Sequence, residues 1–292
     1  MARRPAVARG AARLTVGEVD GRAGARPGGQ TEAVPEGWDP AQYDRFKAER
    51  RQPFDDLLAH CRRIPGGSAV DLGCGTGELT VALHEAVGAS RTTGIDSSPA
   101  MLERAATLKM PGLSFRAGDI GAWEGPSVDL VVANASFHWV ADHRALLGRV
   151  RRGIAPGGQL AFQVPANFGH PSHTVARAVS AQPPFARALG AAAPEDGGAA
   201  VLAPTAYAEL LHRLGADEQY VALQVYGHLL DSTDEVVQWV MGTLLTPYRA
   251  RFDDQTFEAF VTRYRERLVE EVGQQRPYFY AFPRIVCWAR FP

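Results

Sequence analysis

The sequence predicts an α/β protein whose core is a doubly wound, mostly parallel β-sheet. Short runs rich in valine, isoleucine and leucine alternate with helical patterns through the first half of the chain. Such an alternation is typical of parallel strands that helices cover on both faces. The helix signals agree, because Ser98 stands at an N-cap position and Pro99 follows at the first helical position. The strands predicted in this part are residues 68–73, 92–96, 113–119, 128–136 and 157–164.

The regular alternation ends after the fifth predicted strand and returns later in the chain. Residues 166–204 carry scattered proline and glycine around a short helical pattern, and residues 231–280 carry longer helical patterns. Residues 205–230 again combine a helix with a strand, and residues 281–292 form a last apolar strand. The sequence therefore predicts a core of residues 61–165, 205–230 and 281–292 with a helical cap inserted from residues 166–204 and 231–280.

The N-terminal part of the chain divides into two segments of different composition. Residues 1–34 are rich in alanine, arginine, glycine and proline and contain no large aromatic side chain. A segment that buries so little apolar surface does not offset its ordering entropy, so we expect a disordered tail. From Trp38 the composition changes, and residues 35–60 predict a helix that is interrupted near Pro53.

Composition and charge narrow the class of protein. Hydrophobic residues make up 46% of the chain and charged residues 22%, which are ordinary proportions for a globular protein. The formal net charge of -1 gives no general attraction to nucleic acid or to an acidic membrane. No run approaches the ~20 apolar residues of a membrane helix. We therefore expect a cytoplasmic protein with a small-molecule partner and neither a nucleic-acid nor a membrane partner, and the oligomeric state stays open.

The cysteines and histidines give no sign of a disulfide framework or a metal site. Cys61, Cys74 and Cys287 are widely separated and form no CxxC pair. Three histidines lack the spacing of metal ligands and are therefore expected at the surface or in loops, namely His143, His170 and His173.

A glycine-rich turn follows the first predicted strand, in the segment Asp71 to Gly77, which reads DLGCGTG. Ligands of open α/β sheets bind at the carboxyl ends of the strands, and glycines there let the backbone turn tightly beneath a ligand. The spacing is GxGxG, and Glu78 stands where GxGxxG would have its third glycine. A loop beneath a nucleoside with an amino-acid tail is therefore favoured over a pyrophosphate cradle.

Carboxylates follow the next two predicted strands. Asp96, followed by Ser97, comes about 20 residues after the glycines, where a carboxylate can accept hydrogen bonds from both ribose hydroxyls. Asp119 ends the third strand, where a carboxylate can take the exocyclic amine of adenine. Because the glycine turn and both carboxylates fall at the ends of successive strands, we predict that the protein binds S-adenosylmethionine.

At these residues the chain resembles the class I S-adenosylmethionine-dependent methyltransferases, of which DLGCGTG with GIDSS is a specific signature. Within that superfamily it is similar to the trans-aconitate 2-methyltransferase family from about residue 37 to the C-terminus. The resemblance rests on DLGCGTG and GIDSSPAML, which many relatives share, and on three narrower fragments, WDPAQYDRFKAERRQP, NASFHWVADH and FPRIVCWAR.

The resemblance implies a Rossmann-like sheet of seven strands, the last one antiparallel, with a helical cap over the substrate. It implies methyl transfer to a carboxylate oxygen of a small polycarboxylic acid. The N-terminal helix, with Tyr43 and Arg50, would fold over the pocket as a lid. Together with the motif positions, it assigns the cofactor site to Asp71, Gly73, Gly75, Gly77, Asp96, Ser97, Asp119, Ile120 and Asn134.

The acceptor site is predicted from fewer signals. Tyr280 and Arg284 are candidate carboxylate contacts, whose alternatives are a core tyrosine and a salt bridge. Thr246 stands in a segment, Leu244 to Tyr248, where the trans-aconitate enzymes tend to have Gly-Leu-Arg-Pro-Trp. With the aromatics of residues 278–280, this departure favours an alternative, the O-, N- or C-methylation of a larger secondary metabolite.

His138 is the candidate catalytic residue, beside Trp139, which is expected in the core or on the pocket wall. It either hydrogen-bonds the acceptor or serves as a base, or it packs structurally beside Trp139. A carboxylate acceptor is already ionised and needs no base, whereas a phenol or alcohol benefits from one. Two further classes are a non-catalytic cofactor-binding module and a nicotinamide dehydrogenase, and Glu78 in place of the third glycine speaks against the latter.

Overall fold

The computed structural model of the protein describes residues 47–190, 194 and 197–292. The predicted tail of residues 1–34 and the beginning of the predicted helix of residues 35–60 lie outside the described residues. Among the described residues, no helix combines the length and the apolar character that a membrane span requires.

Seven strands form one sheet in the order β3-β2-β1-β4-β5-β7-β6. The first five pair in parallel, and β7 lies between β5 and β6, antiparallel to both. The predicted seven-stranded sheet with an antiparallel last strand is thus confirmed. The strands are β1 (Ser68–Leu72), β2 (Arg91–Asp96), β3 (Leu113–Ala117), β4 (Val128–Asn134), β5 (Ile154–Pro165), β6 (Glu218–Leu230) and β7 (Tyr278–Arg290).

Among the described residues, α-helices follow the first, second and fourth strands, and most of the later helices form the cap. Ser98 caps its helix by accepting a hydrogen bond from the Met101 N–H, with Pro99 at the first helical position, as the sequence predicts. The helices are α1 (Lys47–Leu58), α2 (Glu78–Val87), α3 (Pro99–Ala105), α4 (His143–Arg152), α5 (Pro171–Ser180), α6 (Phe185–Leu189), α7 (Pro204–Arg213), α8 (Thr233–Met241), α9 (Thr246–Arg249) and α10 (Asp254–Val272).

Helix α1 runs through Pro53 without a break, so the predicted interruption there is wrong. The two residues that anchor the second half of the helix, Phe54 and Leu57, are fully buried against α2 and the sheet. Burial of two large apolar side chains stabilises the structure by about 1.5–3 kcal/mol each, which offsets the cost of a proline in a helix.

Two apolar clusters cover the faces of the sheet, and a third fills the cap. The third cluster joins α5, α6, α8, α9 and α10 to Tyr278, Tyr280 and Phe282 of β7. Residues 284–290 of β7 pair with β5, whereas residues 278–283 pair with β6 alone. The β6–β7 ribbon therefore extends past the end of β5, and its extension holds the cap helices above the carboxyl edge of the parallel strands.

Candidate functional site

A cavity of about 340 Å³ lies at the carboxyl ends of the parallel strands, between the sheet and the cap. Its volume falls within the roughly 300–1,000 Å³ that is usual for small-molecule sites, and its position is where open α/β sheets bind ligands. The predicted site residues that line it are Gly73, Gly75, Asp96, Ser97, Asp119, Ile120, Asn134, His138, Trp139, Tyr280 and Arg284.

The glycine turn forms the floor at one end of this cavity. Gly73 and Gly75 have φ angles of 83° and 54°, in the left-handed region. A Cβ on Gly73 would lie 2.3 Å from the Cβ of Ser136, whereas a Cβ on Gly75 would meet no protein atom within 4 Å. The bare backbone at Gly75 thus leaves open a space that any other side chain would fill, which fits a ligand lying directly on the loop.

Asp96 lies against the same turn. Its Oδ2 accepts a hydrogen bond from the Gly75 N–H at 2.9 Å, and its Oδ1 accepts one from the Ser98 N–H at 2.9 Å. Each carboxylate oxygen can accept a second hydrogen bond, so the side chain is held rigidly while it retains capacity for two hydroxyl groups.

Asp119 is held in a similar way at the end of β3. Its Oδ1 accepts from the Gly121 N–H at 2.7 Å and caps the short turn Ile120–Ala122. Asp119 and Ile120 line the cavity together with Asp96 and Gly75. This end therefore offers two anchored carboxylates, an apolar side chain and an open backbone turn, a set of groups that fits an adenosine moiety.

The other end of the cavity carries a buried positive charge. Arg284 is 6% exposed, donates from Nη1 to Gln163 Oε1 at 2.9 Å and lies over the ring of Phe282. Tyr280 is fully buried beside it, and burial raises the pKa of its phenol to about 12, so the hydroxyl stays neutral. That hydroxyl accepts from Asn167 Nδ2 at 3.2 Å.

His138 and Trp139 lie between the two ends, in the short turn Phe137–Trp139 that follows β4. Their ring centroids are 4.6 Å apart. The predicted catalytic histidine thus lines the cavity after β4, the strand next to β1, and its contact with Trp139 is the packing that the alternative interpretation requires.

Comparisons with known proteins agree with this site. Residues 69–158, which include the glycine turn, match the family model described as a methyltransferase domain. A trans-aconitate 2-methyltransferase of Deinococcus radiodurans is 40% identical over 258 residues, covering 87% of this chain and 98% of the relative. One from Streptomyces avermitilis is 40% identical over 266 residues, covering 88% and 97%. The chain belongs to the trans-aconitate 2-methyltransferase family.

The protein is therefore an S-adenosylmethionine-dependent methyltransferase, and S-adenosylmethionine is its cofactor. Solved structures show the same fold at low identity. The YcgJ protein of Bacillus subtilis has a TM-score of 0.55 at 11% identity, covering 82% of this chain and 98% of that one. A phosphoethanolamine N-methyltransferase 2 of Haemonchus contortus in complex with S-adenosylmethionine has a TM-score of 0.50 at 16% identity, covering 90% and 55%.

Two of the predicted cofactor residues, Asp71 and Gly77, do not line the cavity. Asp71 is 2% exposed beneath the turn and accepts from Thr80 Oγ1 at 2.6 Å, and burial raises its pKa to about 6. Gly77 is the N-cap of α2, and a Cβ on Gly77 would lie 2.6 Å from the ring of Phe115. Both residues thus support the turn from below in this structure.

Of the predicted acceptor residues, some line the cavity and others do not. Thr246 is buried at the start of α9 and does not line the cavity. Thr243 and Leu244 line it instead, because they precede the turn into α9. Tyr43 lies outside the described residues, and so does the side chain of Arg50.

Polar residues without a motif complete the cavity of this methyltransferase. Gln163, Asn167 and His173 line it and are buried. The prediction that His173 and His143 lie at the surface is wrong, since tertiary packing buries both. His143 bonds to the Phe137 carbonyl at 2.9 Å, and burial lowers its pKa to about 4. In the described ranges, no group of three or more metal-ligating side chains is arranged to hold an ion.

Proposed function

We propose that the protein transfers a methyl group from S-adenosylmethionine to a carboxylate oxygen of a small acid. The relatives that this chain matches over nearly their whole length are named trans-aconitate 2-methyltransferases. The observation that carries the proposal is the buried Arg284, which lines the same cavity as Gly75 and Asp96. One enclosed space thus combines a nucleoside-type site with a cation that suits an anionic acceptor.

Burial strengthens this cation's preference for a carboxylate. Charge-charge attraction grows as the surroundings become less polarisable, and arginine matches a carboxylate with two parallel hydrogen bonds. Gln163 and the face of Phe282 limit the movement of the guanidinium. The neutral hydroxyl of Tyr280 and the amide of Asn167 add polar groups near the same wall.

The residues around the reacting atoms need to position the acceptor and exclude water. S-adenosylmethionine supplies, when bound, a methyl group that its sulfonium already activates. Trp239, Val240 and Phe168 give the acceptor end apolar walls, which remove competing water. Arg284 holds the acid so that its oxygen attacks from a restricted orientation. A carboxylate is ionised at neutral pH, so no residue has to remove a proton.

Incubation with methyl-labelled S-adenosylmethionine and a panel of mono-, di- and tricarboxylic acids, trans-aconitate among them, tests the proposal. We expect a labelled product that mild base hydrolyses, because a carboxyl methyl ester is base-labile. Label that survives base would indicate an ether, amine or carbon acceptor and would support the larger-metabolite alternative. The absence of a base-labile product from every acid would contradict the proposal.

We also propose that the protein works in the cytoplasm without a nucleic-acid or membrane partner. Cys61, Cys74 and Cys287 are free thiols, which are usual in reducing compartments. The near-neutral net charge of -1 supports the absence of a nucleic-acid or membrane partner, because it gives no general attraction to polyanions or anionic lipids. Fractionation of the native host cells, with immunodetection of the protein, tests the location, and recovery in a membrane fraction would contradict it.

A further inference from the structure

Three hydrogen-bonded polar side chains, Arg284, Gln163 and Asn134, line the cavity. Arg284 Nη1 donates to Gln163 Oε1 at 2.9 Å, and Gln163 Nε2 donates to Asn134 Oδ1 at 2.6 Å. All three residues line the cavity, and Gln163 is 1% exposed. The sequence separations are 121 and 29 residues, so only the folded sheet brings these groups together.

The register of three neighbouring strands creates this contact. Asn134 at the end of β4 is the direct partner of Gln163 on β5. Val286 of β7 is the partner of Gln163 on the other side, and Arg284 stands two residues from it on the same face. Diagonal neighbours of this kind are within reach of long side chains.

The arginine determines the direction of every hydrogen bond among these three side chains. A guanidinium can only donate, so Gln163 has to present Oε1 to Arg284 and Nε2 to Asn134. Because Nε2 also only donates, Asn134 has to accept through Oδ1. Its Nδ2 group is thereby left to donate elsewhere. The hydrogen bonds therefore fix which side of each amide carries the oxygen and which carries the nitrogen, at both Gln163 and Asn134.

We propose that Gln163 is a positioning residue that holds the guanidinium of Arg284 in place for the acceptor's carboxylate and sets the orientation of the Asn134 amide. The inference rests on the proposed function, since it concerns how an anionic acceptor is held. Gln163 acts through its two neighbours and takes no part in the transfer itself. Its loss therefore changes the binding and alignment of the acid more than the binding of the cofactor.

Gln163→Glu tests this role, because it keeps the side-chain shape and places a carboxylate against Arg284. The internal carboxylate competes with the acid for the guanidinium and cannot donate to Asn134. We expect KM for the acid to rise roughly tenfold or more, on the scale of a lost charged hydrogen bond. The dissociation constant of S-adenosylhomocysteine, measured by calorimetry, should change less than about threefold. Gln163→Met introduces no charge, removes both hydrogen bonds and should lower kcat as well as raise KM.

Gln159→Glu is the matched control. Gln159 is a similarly buried glutamine on β5, bonded to Arg62 and Trp288 and absent from the cavity lining. Its substitution carries the same cost of a buried carboxylate, so the melting temperature should fall while KM for the acid is unchanged. Melting curves identify any variant that does not fold, and Gln163→Met then carries the test.

Two outcomes overturn different statements. An unchanged KM in the Gln163 variants, or an equal rise in Gln159→Glu, would overturn the positioning role while the proposed function stands. A wild-type protein that methylates no acid in the panel would overturn the proposed function, and that result is obtained before any variant is compared.

Discussion

The carboxylate of Asp96 accepts the backbone N–H of Gly75 at 2.9 Å, which ties the end of β2 to the glycine turn. Because the same carboxylate also faces the cavity, it both shapes the turn and offers acceptors to a ribose. We therefore expect local structure and cofactor affinity to be coupled at this one side chain.

We expect Asp96→Ala to weaken the binding of S-adenosylhomocysteine by about 1–3 kcal/mol, the scale of lost hydrogen bonds to a charged group. Calorimetric titration measures the change. Asp129→Ala is the control, since Asp129 also accepts from a backbone N–H, that of Ser68, but lies outside the cavity lining. It should lower stability and leave the affinity alone. Unchanged affinity in Asp96→Ala would contradict the assignment of this residue to the cofactor.

The two cavity glycines should respond differently to alanine. At Gly75 the added Cβ meets open space, so the cost to folding is that of the left-handed conformation, about 1–2 kcal/mol. At Gly73 a collision with Ser136 at 2.3 Å is added to that cost. Thermal melts should therefore show a larger loss for Gly73→Ala, and calorimetry should show at least roughly tenfold weaker S-adenosylhomocysteine binding for Gly75→Ala. A normal affinity in Gly75→Ala would mean that no ligand lies on the turn.

Much of this site could be predicted from the sequence because parallel strands all end at one edge of a sheet. Asp96 and Asp119 follow successive strands, so their proximity to the glycine turn needs no knowledge of packing. Gln163 and Asn167 had no comparable signal, since an amide beside a buried apolar strand belongs to no motif. Their role depends on β7 inserting between β5 and β6, a pairing over more than a hundred residues.

Tertiary packing, which the sequence does not show, also explains why several residues lie elsewhere than predicted. Whether Thr246 faces the cavity depends on where α9 begins. A shift of one residue in the start of a helix turns a side chain to a different direction. His143 and His173 resemble surface residues in the sequence, and only the tertiary packing buries them.

Asp71 should make stability depend on pH. Burial raises its pKa in the folded protein from 3.8 to about 6. Between these values the folded protein holds a proton that the unfolded chain has released. The resulting stabilisation is present below about pH 4 and is lost as the pH rises through 6. A shift of about 2 pKa units corresponds to about 3 kcal/mol.

Asp71→Asn is uncharged at every pH, so its stability relative to the wild type should increase with pH. Urea unfolding of both proteins at pH 4.5 and pH 7.5 measures this difference. We expect it to move in favour of the variant by about 2 kcal/mol between the two conditions, since pH 4.5 lies within the titration range. A difference that stays constant with pH would show that the Asp71 carboxyl has the same pKa in the folded and unfolded chains.

Arg284 should decide the affinity for the acid. We expect Arg284→Met to raise KM for the acid about 30-fold or more, and Arg284→Lys to raise it less, because lysine keeps the charge without the planar fork. Arg290→Met is the control on the same strand, since Arg290 pairs with Asp217 and Glu218 outside the cavity lining. An unchanged KM in Arg284→Met would show that the Arg284 guanidinium does not bind the acceptor.

His138 separates the two classes of acceptor. Loss of a general base typically lowers kcat by about 10²–10⁴, whereas a carboxylate acceptor is already ionised and needs no base. For the acid that the enzyme methylates, we therefore expect His138→Gln to lower kcat by less than about tenfold. The pH–rate profiles of variant and wild type should run parallel between pH 6 and 8. The variant should melt at a lower temperature, because it loses the tilted ring contact that His138 makes with Trp139. A hundredfold loss of kcat, with loss of an ionisation near neutral pH, would instead make His138 a base and would indicate an acceptor that has to lose a proton.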